Sequence, residues 1–327
     1  MLRTLSPLAA LAAVVLVFGV SAPPRTAAGD KTDAAKVDPY DQSKVPLEVE
    51  PPADFKGKRV LLVAGSKSHG PGDHEFFAGT AILMDLLKQT PGVWPIMARD
   101  GWPKNEKLLD TAACVLFYMD GREGHPVVRG NRLELLQKQI DRGAGWVNLH
   151  YAVDYLPKHG KTVIGWMGGY YEPDYSINPH WDAEIRSLPT HPTTRGVKPF
   201  TIRDEWYYGM RFPDDTKGLT PILQAVPPDN TRNTAHTKGR KGEIETLAWA
   251  YDRKDGGRGY GFTGGHFHRN WADENFRRVV VNAVLWCAKV DVPEGGAKVA
   301  FDPADLNKNL DRKGDGAFKP ILPPGAK

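Results

Sequence analysis

Between residues 58 and 290 the chain alternates short apolar runs with amphipathic stretches. Arg59-Val60-Leu61-Leu62-Val63-Ala64 is almost wholly apolar, the pattern of a strand buried on both faces. Phe76, Thr80, Leu83, Met84 and Leu87 then recur at helical spacing, with Asp73 as the expected N-cap. Val93 to Ala98 and Ala113 to Met119 read as two further strands. Arg129 to Arg142 reads as a helix with Leu133, Leu136 and Ile140 on one stripe and Gly143 at its end. Gly145 to His150 reads as a fourth strand. From 151 to 246 the chain is rich in aromatics, Pro and Gly, which predicts long loops with some antiparallel strands. Thr246–Arg253 and Gly259–Thr263 read as strands turned by Asp255-Gly256-Gly257. A last helix spans about 272–288, with Asn270 as expected N-cap and Asp273 and Glu274 in its first turn. Strands buried on both faces and joined by helices imply right-handed crossovers. The predicted class is α/β: a doubly wound, mainly parallel sheet with a loop-rich insertion.

The ends differ in character. Arg3 followed by the apolar run Leu8–Val20 and small residues at Ala22 and Ala28 has the pattern of a secretory signal peptide, with cleavage expected after Ala28. The run is too short for a comfortable membrane span. The expectation is therefore an exported protein, periplasmic or extracellular, with no membrane span in the mature chain. Residues 29–57 read as a linker or arm, 58–290 as the α/β domain and 291–327 as a C-terminal tail.

Composition narrows the classes further. Lys plus Arg number 43 against 39 acidic residues, a net charge of +4, with no basic run to suit a nucleic acid. Two cysteines cannot build a disulfide framework. Cys114 and Cys287 both continue apolar patterns and read as buried small hydrophobes, and a bridge between them is left open.

In an open parallel sheet, ligands bind outside the carboxyl ends of the strands. Here polar side chains gather after those ends. His69, His74 and Glu75 follow the first strand, and Asp120, Arg122, Glu123 and His125 the third. His150, Tyr151 and Asp154 follow the fourth, and His266 and His268 the last. Six of the ten histidines fall at such places. His150 and Asp154, four apart at a turn, suit a carboxylate–imidazole pair for proton transfer. In Gly264-Gly265-His266-Phe267-His268 the glycines admit a close backbone approach. His150 and His266 with Glu75 or Asp154 would also make a set of ligands for a divalent metal such as zinc, although no segment has zinc-ligand spacing by itself. The loop at 65–70 lacks the spacing of a phosphate loop. Exposed aromatic rings beside polar groups would suit a sugar. Asp204-Glu205, after the strand-like Phe200-Thr201-Ile202, could supply a carboxylate to it.

At these motifs the sequence resembles the ThuA-like family, named for trehalose utilisation, over roughly residues 58–290. The resemblance rests on Val147 to Asp154, on His191-Pro192 with Gly196-Val197, Phe200 and Asp204-Glu205, and on Gly264-Gly265-His266 before Asn270-Trp271. It implies a flavodoxin-like fold similar to class I glutamine amidotransferases, and a role in sugar metabolism, including oxidised (keto) glycosides. Where those amidotransferases carry a nucleophilic cysteine, this chain has His150, so glutamine hydrolysis through a thioester is not expected. The family's Gly-Gly followed by His-Pro is altered to Gly168-Gly169 and Asn178-Pro179-His180.

The functional expectation is an exported enzyme, a hydrolase, lyase or isomerase acting on a small carbohydrate or glycoside. His150, His266, Asp154 and Glu75 are the catalytic candidates, with Asp154 orienting His150. Tyr151, Asp120, Asp204, Glu205, His268 and Trp271 are the substrate-binding candidates. The alternative is a non-catalytic sugar-binding or interaction module on the same fold. The sequence does not specify the oligomeric state.

Overall fold

The computed structural model describes residues 38–326, so the signal-like segment and the first part of the arm lie outside the described residues. The chain builds a seven-stranded sheet in the order β2-β1-β3-β4-β9-β8-β7. Its parallel part comprises β1 (Lys58–Ala64), β2 (Val93–Ala98), β3 (Cys114–Tyr118), β4 (Gly145–Leu149) and β9 (Arg258–Phe262). β8 (Glu245–Asp252) runs antiparallel to β9, and β7 (Leu219–Ala225) antiparallel to β8. A separate antiparallel pair, β5 (His180–Ile185) and β6 (Phe200–Glu205), belongs to the insertion.

The two-sided core follows from the period of two along each strand. In β1, Val60, Leu62 and Ala64 face one apolar layer, together with α1 (Phe76–Leu87) and α5 (Glu274–Cys287). Leu61 and Val63 face the other, together with α2 (Lys107–Thr111), α3 (Arg132–Asp141) and α4 (Pro157–Met167). In β4, Val147 and Leu149 take the first face and Trp146 the second. Helices on both faces of a mainly parallel sheet are the doubly wound arrangement that the apolar runs predict.

The differences from expectation are local. α1 starts at Phe76 with no side-chain cap. Asp73 does not cap it, because His74 has a left-handed backbone (φ 47°) and Asp73 instead forms a bridge with Phe267. α5 is capped by Asp273, which accepts the Phe276 N–H at 2.9 Å, and not by Asn270. The Asn270 amide donates instead to the Arg203 carbonyl and the Asp204 carboxylate, each at 2.9 Å. α4 forms inside the segment read as loops, and Val163, Trp166 and Met167 bury against the sheet.

The described part of the arm lies along the outer edge of β2. Glu48 N–H donates to the Met97 carbonyl at 2.8 Å, covering an otherwise open strand edge. The tail returns beneath the loop that follows β1, where the Lys313 ammonium is buried and donates to the carbonyls of Asp73 and His74. No helix among the described residues is long and apolar enough to cross a membrane.

Asp273→Ala should lower stability by about 1 kcal/mol through loss of the α5 cap, and Asp273→Asn by only a fraction of that. Urea melts of the two variants check this; equal losses would assign the cost to something other than the cap.

Candidate functional site

Strand order decides which loops can meet. β1, β3, β4 and β9 are consecutive neighbours, so the segments leaving their carboxyl ends share one rim. His74 arrives from the loop after β1, Asp120 from that after β3, His150 directly after Leu149 of β4, and His266 four residues after Phe262 of β9. The last residue of β6, Glu205, reaches the same point from the insertion.

These side chains converge tightly. His74 Nε2 lies 2.9 Å from His266 Nδ1 and 3.0 Å from His150 Nε2. Glu205 Oε2 lies 3.0 Å from His266 Nδ1 and 3.3 Å from His150 Nε2. The Tyr207 hydroxyl stands 3.4 Å from both His150 Nε2 and Glu205 Oε2. The three imidazoles are buried, and Glu205 is the most exposed of the four groups. These four residues can offer one ligand atom each within 4.8 Å of one another.

Each ring is held from behind by an oxygen. His150 Nδ1 donates to the Thr263 carbonyl at 2.8 Å. His74 Nδ1 faces the Asp120 carboxylate at 3.2 Å, and His266 Nε2 faces that of Asp73 at 3.6 Å. A carbonyl only accepts, so His150 carries a proton on Nδ1, and in the neutral ring its Nε2 presents a lone pair inward. The Asp120 carboxylate fixes His74 in the same sense.

The electrostatics follow from crowding. Burial, then the neighbouring imidazoles His150, His69 and His266, hold His74 far below the usual histidine range. Burial also works against the charged form of His266, but the Asp73 and Glu205 carboxylates outweigh it and raise its pKa to about 9. Burial would raise Glu205, yet the His150 and His266 rings beside it pull it well below the ordinary carboxylate range.

The loops are strained and clamped. His69, His74, Arg122 and His150 all have left-handed backbones (φ 55°, 47°, 56° and 54°), and such strain persists only where the surroundings enforce it. The buried Asp204 carboxylate accepts the backbone N–H groups of Gly265 (2.7 Å) and His266 (3.0 Å), fixing the loop that carries His266. Gly265, at φ 116°, lets that loop pass against His150 and Tyr118.

Comparison with known proteins agrees with this architecture. The family model described as ThuA, trehalose utilisation, matches residues 59–287. The chain belongs to the ThuA family. A solved ThuA-like protein from Bacteroides uniformis superposes with a TM-score of 0.53 at 15% identity, covering 74% of this chain and 97% of that one. A ThuA-like protein from Parabacteroides merdae gives 0.50 at 15% identity, covering 77% and 99%. No curated protein matches the chain.

Within this ThuA-family chain, the residues singled out from sequence take different places. His150 and His266 meet, and Glu205 and Asp120 stand beside them. Tyr151 lies at the rim with its ring 6.0 Å from that of His74. Glu75 does not join the cluster. It accepts N–H groups from Gly72 and Asp311 and pairs with Lys313 at 3.2 Å, tying the tail to the loop. Asp154 does not orient His150, a task taken by the Thr263 carbonyl. Its carboxylate turns to Arg122 at 2.9 Å, and burial, opposed by that guanidinium, lifts its pKa to about 7. Asp204 is a loop clamp. His268 and Trp271 are sealed in the interior, Trp271 packing on Phe276 and Tyr118. Neither cysteine reaches the rim: Cys114 and Cys287 are free and buried in the core.

Sequence reasoning undervalued His74, because its neighbours suggest a helix start, and it overlooked His180. The His180 ring lies 4.8 Å from that of His266, and its Nε2 is 3.8 Å from Glu205 Oε1 at the exposed side of the cluster. The altered Asn178-Pro179-His180 segment was the available signal. The Asn178 amide donates to Glu205 Oε1 at 2.9 Å.

His125, also expected among the rim residues, is structural. Its Nδ1 accepts the Val127 N–H and its Nε2 donates to the Ala152 carbonyl, so the neutral ring is fixed. Burial lowers its pKa to about 3. The unfolded chain therefore takes up a proton below about pH 6.5 that the folded chain refuses until about pH 3, and acidification through this window destabilises the fold. The contribution should approach about 1.4 kcal/mol per pH unit. His125→Gln should be less stable at neutral pH but lose less on going to pH 5, as read by urea midpoints. Parallel losses in both proteins would contradict the assignment.

Proposed function

We propose that this protein is an exported enzyme of carbohydrate metabolism that acts on a glycoside, oxidised (keto) glycosides included, by imidazole acid–base or metal-assisted proton transfer. The observation that carries the reading is the cluster itself: three buried imidazoles and a carboxylate gathered at the rim where a doubly wound sheet binds its ligands. Buried polar groups of this density are costly unless they serve a site. The family description, trehalose utilisation, supports a sugar as the substrate class.

The polar groups flanking the cluster suit a polyhydroxylated ligand. Asp120 and the half-exposed Tyr151 lie on one side and His180 and Glu205 on the other. In the acid–base form of this reading His150 and His266 exchange protons with a carbon-bound hydroxyl or a glycosidic oxygen, in the metal-assisted form they hold the ion instead, and in both Asp120 and Tyr151 hold neighbouring hydroxyls. Asp154 and Arg122 shape the rim by pairing with each other.

The test is turnover. The purified protein, incubated with trehalose, a keto-trehalose and a panel of glycosides and followed by NMR, should convert at least one of them. His150→Ala and His266→Ala should each lower kcat/KM by about 100-fold or more. Sugar binding without turnover, with or without added divalent metal, would replace the enzyme reading with a binding module. Unchanged rates in both variants would remove the cluster from the chemistry.

A further inference from the structure

We propose that His74, His150, His266 and Glu205 form a binding site for one divalent transition-metal ion of the zinc class. The inference goes beyond the sugar chemistry proposed above and does not depend on it.

The argument is a count of protons and lone pairs. Four potential ligand atoms converge: His74 Nε2, His150 Nε2, His266 Nδ1 and Glu205 Oε2. With the His150 proton on Nδ1, held by the Thr263 carbonyl, and the His74 proton on Nδ1, facing Asp120, both Nε2 atoms are acceptors. With these tautomers they face each other at 3.0 Å as two lone pairs. Glu205 Oε2 is a third acceptor at 3.0–3.3 Å from two of the nitrogens. A single proton on His266 Nδ1 can serve either His74 or Glu205, but it cannot reach between His74 and His150. Lone pairs converging in this way make a ready-made set of donors for a cation at their centre.

The spacing suits such an ion. Tetrahedral bonds of about 2.0–2.1 Å place ligand atoms about 3.3–3.4 Å apart; four of the six separations here are 2.9–3.3 Å and the other two lie within 4.8 Å. The surroundings point the same way. Metal-bound histidines characteristically direct their second nitrogen at a carboxylate or a carbonyl, and all three rings do so, toward Asp120, Thr263 and Asp73. Three imidazoles and one carboxylate favour zinc and its first-row neighbours over magnesium or calcium, which prefer all-oxygen shells. The carboxylate differs from either sequence candidate: Glu205 takes the place considered for Glu75 or Asp154, and His74 adds the third imidazole.

Chelator-treated full-length protein titrated with zinc chloride in a calorimeter should bind one ion per chain. His74→Ala and His266→Ala should weaken binding by more than about 100-fold, beyond the loss caused by removing an outer hydrogen-bond partner, and Asp120→Asn, at a half-exposed position, by about 10-fold. Because alanine at a buried ring could disturb folding, His266→Cys loaded with cobalt(II) gives an independent reading. It should show a sulfur-to-cobalt charge-transfer band absent from the wild type. No stoichiometric zinc binding, affinity unchanged in the His74 and His266 variants, or a His266→Cys protein lacking the band would each overturn the inference. The titration contains no sugar, so zinc binding without turnover would sink the enzymatic reading alone, and turnover without zinc binding the metal site alone.

Discussion

Three imidazoles can crowd within about 3 Å only if something behind each ring forbids it to turn away, and the rest of this molecule supplies that restraint. The Thr263 carbonyl, at the end of β9, holds His150. Asp120, after β3, holds His74, and Asp73, just before His74, faces His266. All three restraining groups stand at the rim formed by β1, β3, β4 and β9. The sheet order is thus what lets residues remote in the chain act on one another.

Holding the rings costs stability elsewhere, and the structure shows where it is offset. Left-handed backbones at His69, His74, Arg122 and His150 each oppose the preference of an L-residue, by about 1–3 kcal/mol apiece. Against this, Asp204 gathers the backbone N–H groups of Gly265, His266 and Phe267 and the Asn270 amide beneath the His266 loop. The tail contributes from below: Lys313, paired with Glu75, satisfies the carbonyls of Asp73 and His74. Residues 291–326 are therefore part of the site's support, since the loop bearing His74 would otherwise carry buried, unpaired groups.

The sheet was legible because strands buried on both faces must be apolar throughout, as Val60–Ala64 and Cys114–Tyr118 are. The pairing of His150 with His266 was legible too, because both follow strand ends. Other features depend on contacts that period and spacing do not encode. Glu75 and Asp154 look like site carboxylates by proximity in sequence, but their partners, Lys313 and Arg122, are 238 and 32 residues away. Glu205 is reached only through the irregular insertion, where β5 and β6 pair on their own. Asp273 displaced Asn270 as the α5 cap because residues 268–272 form a separate short turn and the chain extends at Asp273 before the helix begins at Glu274.

The account turns on the placement of two protons, and long-range nitrogen–proton NMR of the histidine rings in metal-free protein at neutral pH reads them directly. His74 and His150 should both carry the proton on Nδ1, toward Asp120 and the Thr263 carbonyl, with Nε2 turned inward. A proton on Nε2 of His150, or cationic rings at both positions, would show that the lone pairs do not converge and would contradict the account.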